Sequence, residues 1–119
     1  MSKYKAIPTV VDNIRFASKH EAQQYISFRA LEKAGAIKKL ELQVPFIIHA
    51  FPSPEMLSRI MTLDPIAPLK PICKYIADFV VTELDGTMRL YDAKGMKTPI
   101  YKLKKKFVEA EYGIRIVEL

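Results

Sequence analysis

Two β-prone runs leave this chain little topological choice: Lys74 to Glu83, KYIADFVVTE, and Thr87 to Lys94, TMRLYDAK, joined by Leu84-Asp85-Gly86. Runs rich in β-branched and aromatic residues that meet at Asp-Gly read as an antiparallel hairpin. Its register decides which side chains share a face, because a slip of one residue turns every side chain over. A two-residue Asp85-Gly86 turn would pair Leu84 with Thr87 and set Asp78 opposite Ala93, leaving Asp78 and Asp92 on opposite faces. A three-residue loop with Gly86 in the left-handed position of a G1 bulge instead pairs Glu83 with Thr87, Val80 with Leu90 and Asp78 with Asp92. We expect the three-residue loop.

The first element expected before this hairpin is a helix. Ser18-Lys19-His20-Glu21 has the S-x-x-E form of a capping box, helix formers run on to Ala34, and Gly35 is a stop. Its apolar face is expected to carry Tyr25, Phe28 and Leu31. Leu40 to Ala50, LELQVPFIIHA, reads as a strand in which Pro45 argues for an edge position or a bulge. From Phe51 to Pro71 five prolines break the chain into short pieces, read as an insertion in a single domain spanning residues 1–119. Met56, Leu57, Ile60 and Met61 within it suit either a lid over the core or a contact surface for a partner. After Gly95, Ile100, Leu103, Phe107 and Ala110 repeat at helical spacing from Thr98 or Pro99, and Gly113 ends the helix. A last strand, Ile114 to Leu119, follows. The expected fold is therefore α/β (α+β): a mixed β-sheet flanked by helices in the order α-β-(insertion)-β-β-α-β.

Composition narrows the chemistry. No apolar run approaches the ~18 residues of a membrane span, and the N-terminus lacks the apolar core of a secretory signal, so a cytoplasmic protein without membrane contact is expected. One cysteine, Cys73, and two histidines, His20 and His49, do not supply a zinc site. Any metal would sit on oxygen ligands. With 19 Lys and Arg against 13 Asp and Glu the net charge is +6, which is compatible with a polyanionic partner.

Four residues carry the candidate chemistry: Glu21 in the first helix, Asp78 in the first hairpin strand, and Asp92 and Lys94 in the second. Asp92 and Lys94 are two apart, so in a strand they share a face with α-carbons about 6.5 Å apart. Asp78 lies among apolar neighbours that predict burial, where a lone carboxylate is costly. Two carboxylates facing each other repel unless a proton or cation lies between them. A hard ion such as Mg²⁺, with Mn²⁺ as a substitute, suits ligands of this kind. In phosphodiester hydrolysis Asp78 and Asp92 would hold the metal, Glu21 would add a direct or water-mediated contact, and Lys94 would orient water or meet transition-state charge. Each residue also has an ordinary explanation. Glu21 serves a capping box, Asp92 and Lys94 can form a surface ion pair, and Asp78 can be a hydrogen-bonded buried acid. Gln43 faces either the site or solvent.

Glu21, then Ile76-Ala77-Asp78, then Asp92-Ala93-Lys94, in this order of elements, resembles the PD-(D/E)XK nuclease superfamily. The runs SKHEAQQY, LELQ, YIADFVV and DAKGMKT, with the lysine-rich helix, are similar to a family of small phage and prophage proteins placed in that superfamily. Ala77 stands where the superfamily name has proline. The resemblance implies a central mixed sheet between helices and Mg²⁺- or Mn²⁺-dependent DNA cleavage. It further implies dimeric action on branched DNA such as Holliday junctions, in phage recombination or replication, within the cytoplasm of a bacterial host. Beside such a site, Lys97, Lys102, Lys104, Lys105 and Lys106 would track phosphates, although they also suit a solvated helix face. The competing reading is a non-catalytic DNA-binding or assembly protein on the same fold. An adaptor acting through Met56 to Met61 is a third.

Overall fold

The structure, a computed structural model, describes residues 7–50, 71–93 and 97–119. It begins with a hairpin that the expected order of elements does not contain. Strands β1 (Thr9–Val11) and β2 (Ile14–Phe16) pair antiparallel with Val11 opposite Ile14. Asp12 and Asn13 form the two-residue connection at φ 53° and 63°. Asp and Asn enter the left-handed region more readily than other side chains, and turns of this hand match strand twist. The Asp-Asn pair between Val11 and Ile14 was the available signal.

Helix α1 (Lys19–Lys33) starts where its cap predicts, with Ser18 Oγ accepting the Glu21 N–H at 3.1 Å. Its inner face is Ala22 and Tyr25, with Phe28 half-buried, whereas Leu31 is 43% exposed and leaves the expected stripe. The contact with the sheet is made through Phe28, whose ring centroid lies 5.2 Å from that of Phe79 and 4.9 Å from that of Tyr91. Leu31 lies beyond that contact, near the end of the helix.

Four strands form the main sheet: β3 (Lys39–His49), β4 (Pro71–Thr82), β5 (Met88–Asp92) and β6 (Ile116–Glu118). They lie in sequence order, with β3-β4 and β4-β5 antiparallel and β5-β6 parallel. A parallel neighbour needs a crossover, supplied by helix α2 (Pro99–Tyr112). The mixed sheet between two helices is the expected class. β3 is an edge strand, which is where Pro45 can sit without costing a ladder bond. Pro71 opens β4, and residues 51–70 of the expected insertion, including Met56 to Met61, lie outside the described residues. Among the described residues no helix is long and apolar enough to cross a membrane.

The three-residue hairpin loop is also found. Val80 faces Leu90, Glu83 N–H donates to Thr87 O at 2.8 Å, and Gly86 has φ 92°. A Cβ added at Gly86 would meet nothing within 4 Å, so only the backbone conformation resists substitution. Gly86→Ala should therefore cost ~1–2 kcal/mol in chemical denaturation; an unchanged midpoint would contradict the left-handed loop.

Helix α2 differs from expectation in the face it buries. Thr98 caps it, accepting the Tyr101 N–H at 3.1 Å, and Gly113 closes it at φ 66°. Tyr101 and Val108 point inward, while Ile100, Leu103 and Phe107 are 67%, 55% and 49% exposed. Polar tethers choose this rotation. Tyr101 OH donates to Glu118 Oε2 at 2.9 Å, Glu111 Oε1 accepts the His49 N–H at 2.8 Å, and Tyr112 OH donates to Ile47 O at 2.6 Å. A hydrophobicity pattern contains none of these bonds.

One irregularity governs the site. Leu90 packs with Val80, Val108 and Ile116 on the α2 side of the sheet, and Phe79 packs with Ala22, Tyr25 and Ala93 on the α1 side. In β3, Leu40 and Leu42 join the α1 side, yet Val44, Phe46 and Ile48 join the α2 side. Strict alternation would put all five on one face. In β4, Tyr75 and Ala77 lie on the α2 side while Phe79 lies opposite, although all three are odd-numbered. Both strands thus change face between the Leu42–Phe79 and Val44–Ala77 pairs, at the level of Gln43 and Asp78. Gln43 has φ 51°, and one left-handed residue in a strand is enough to reverse its pleat.

Candidate active site

Among the described residues the buried charged side chains are three carboxylates: Glu21, Asp78 and Asp92, at 8%, 7% and 0% exposure. Each is delivered by a different element. Glu21 sits in the first turn of α1, where the Ser18 cap holds its backbone. Asp78 lies at the face change of β4. Asp92 ends β5 one residue beyond Tyr91, whose ladder partner Phe79 directly follows Asp78.

Hydrogen bonds draw the group together. Gln43 Nε2 donates to Glu21 Oε1 and to Asp78 Oδ1, each at 3.2 Å. The Ala93 N–H donates to Asp78 Oδ2 at 2.9 Å, which ties Asp78 to the peptide that follows Asp92. Tyr75 OH donates to Asp92 Oδ2 at 2.5 Å. Burial first, and then the bond to Asp92, raises the Tyr75 phenol far above its ordinary value, so it stays a neutral donor. Tyr101 is raised in the same way, by burial and then by its bond to Glu118, and the charges of Asp92 and Asp78 both reach it. Glu21, Gln43 and Asp78 are thus bonded together, and Asp78 is tied to the peptide beside Asp92.

Lys94, the fourth expected catalytic residue, lies outside the described residues. Of the expected DNA-contacting lysines, Lys102 and Lys106 are exposed on α2. Lys97 and Lys105 instead reach Glu118 Oε1 at 3.5 and 3.4 Å. The Tyr101 hydrogen bond, and then the charges of Lys105 and Lys97, hold the Glu118 carboxyl below its usual range. Glu118 pairs with Asp92 across the parallel β5-β6 ladder, a neighbour that no local motif announces. Tyr75 is likewise unannounced, because alternation from Asp78 puts it on the other face, and of the two alternatives open for Gln43 its side chain takes the one toward Glu21 and Asp78. Tyr101 is buried, and Tyr91 packs on the Phe28 ring.

Among the described residues no three His, Cys, Asp or Glu side chains stand close enough to form a ready cage for a metal. The donor chemistry still suits Mg²⁺. That ion keeps several waters and is held through one or two carboxylates plus substrate phosphate, a donor set of the type that Asp78 and Asp92 would supply.

No curated protein and no solved structure matches the chain. Residues 1–117 match the family described as "Protein of unknown function (DUF1064)". The chain belongs to the DUF1064 family.

Proposed function

We propose that this protein is a metal-dependent endodeoxyribonuclease. The observation that carries the reading is the pairing of the buried acids Glu21 and Asp78 through Gln43, with Asp78 bonded to the peptide N–H that follows the buried Asp92, in a basic domain. Burying acids together is costly unless a cation compensates them, and a module that only binds a polyanion gains nothing from it. Asp78 and Asp92 would hold Mg²⁺ or Mn²⁺, with Glu21 contributing directly or through water. When bound, the ion would acidify a water and offset charge growing on the phosphate. Tyr75 would keep the Asp92 carboxylate oriented without adding charge to it. Lys94 would supply the cation that orients water or meets the transition state. Lys102 and Lys106 would hold the DNA backbone, and the superfamily resemblance adds branched DNA and dimeric action as the specific form.

The test is incubation of the purified chain with four-way junction, flap, duplex and single-stranded DNA, in Mg²⁺, Mn²⁺ or EDTA. Cleavage is expected with either metal and not with EDTA, and Asp92→Ala and Lys94→Ala should leave every substrate intact. If the wild type also cuts nothing yet binds DNA, the protein is a binding module on a nuclease-like fold. Replacing both Lys102 and Lys106 by Ala should weaken binding uniformly across sequences and reduce the salt slope by about 1 per lysine. An unchanged slope would move the DNA path elsewhere.

A further inference from the structure

Gln43 combines a strained backbone with a bridging side chain. Its φ of 51° is uncommon for any side chain other than Asn or Asp, and inside a strand it interrupts the β3-β4 ladder. Strain of this kind persists where the surroundings over-determine it. Here one nitrogen, Nε2, meets Glu21 Oε1 and Asp78 Oδ1 at 3.2 Å each, linking the first turn of α1 to the middle of β4. The opposite orientation would set the amide carbonyl against two carboxylates. A primary amide carries two N–H donors on one nitrogen and no charge. It can therefore bind both acids at once and leave their negative charge for a cation, which a lysine or arginine at this place would cancel.

We propose that Gln43 is a positioning residue of the site: its carboxamide holds Glu21 and Asp78 at one spacing for a hard divalent cation. The inference rests on the nuclease reading and adds to it a side chain that neither reacts nor ligates. It also explains why the face change falls at this level. The neighbours of Gln43, Leu42 and Val44, pack on opposite sides of the sheet, and the amide lies at the level where they part.

Gln43→Gly separates this role from a structural one, because glycine accepts the left-handed backbone while removing the amide. On the full chain it should stay folded at the assay temperature, checked by a thermal melt, with any fall in Tm set by the lost bonds to the two acids. Mg²⁺ and Ca²⁺ affinity by calorimetry, and the cleavage rate, should each fall about 10- to 100-fold. Gln43→Glu, which replaces the bridging donor by a third carboxylate beside the other two, should cleave more slowly than the wild type. A Gln43→Gly protein that binds Mg²⁺ and cleaves as the wild type does, whatever its Tm, would overturn the positioning role and leave the nuclease standing. A wild type that neither binds Mg²⁺ nor cuts any DNA would overturn the nuclease reading, and the positioning role with it.

Discussion

Asp92→Asn should abolish metal-dependent cleavage while leaving the fold intact. Asp92 is fully buried at the end of β5, and its Oδ2 accepts the Tyr75 hydroxyl at 2.5 Å. Asparagine has nearly the same shape, and its amide oxygen can still accept from Tyr75, so the hydrogen bond that locates the side chain survives. The charge does not. Removing one anionic ligand should cost about 4 kcal/mol of transition-state stabilisation, or about a thousandfold in rate. Less repulsion from Asp78 should keep the Tm at or above that of the wild type. Single-turnover cleavage with Mg²⁺ and a parallel thermal melt check both halves. A rate within a few-fold of wild type would remove Asp92 from the chemistry and leave it a structural acid.

Phe79→Ala is expected to have the largest effect on stability. Phe79 is fully buried, packs with Ala22, Tyr25 and Ala93, and has its ring against that of Phe28. Truncating such a side chain typically costs ~3–5 kcal/mol, including the cavity left behind. A domain of this size has only ~5–15 kcal/mol in total, so the variant should be partly unfolded near physiological temperature. Urea denaturation followed by circular dichroism measures the loss. A change below ~1.5 kcal/mol would mean that α1 can close the gap by moving onto the sheet.

These two sites differ in how readily their neighbours could be read. The hairpin register was legible because it depends on short-range chemistry. An Asp-Gly loop admits few lengths, only the three-residue loop aligns the acids, and Gly86 supplies the positive φ that loop needs. The helix ends were legible for the same reason, since Ser18, Thr98 and Gly113 act through bonds or dihedral angles within a few residues. The face of α2 was not. Ile100, Leu103 and Phe107 make the more hydrophobic stripe, but the bonds from Tyr101, Glu111 and Tyr112 reach β6 and β3, and those partners are distant in the chain.

The acids themselves, their placement on α1, β4 and β5, and the hairpin register follow from residue type and local turn chemistry. What gathers around them does not. Tyr75 reaches Asp92, and Gln43 reaches both Glu21 and Asp78, because β3 and β4 change face together at Gln43. Side-chain alternation is a local rule, and a single left-handed residue inverts it. Whether a glutamine takes that strained conformation depends on bonds to partners in other elements, which exist only once helix and sheet have packed.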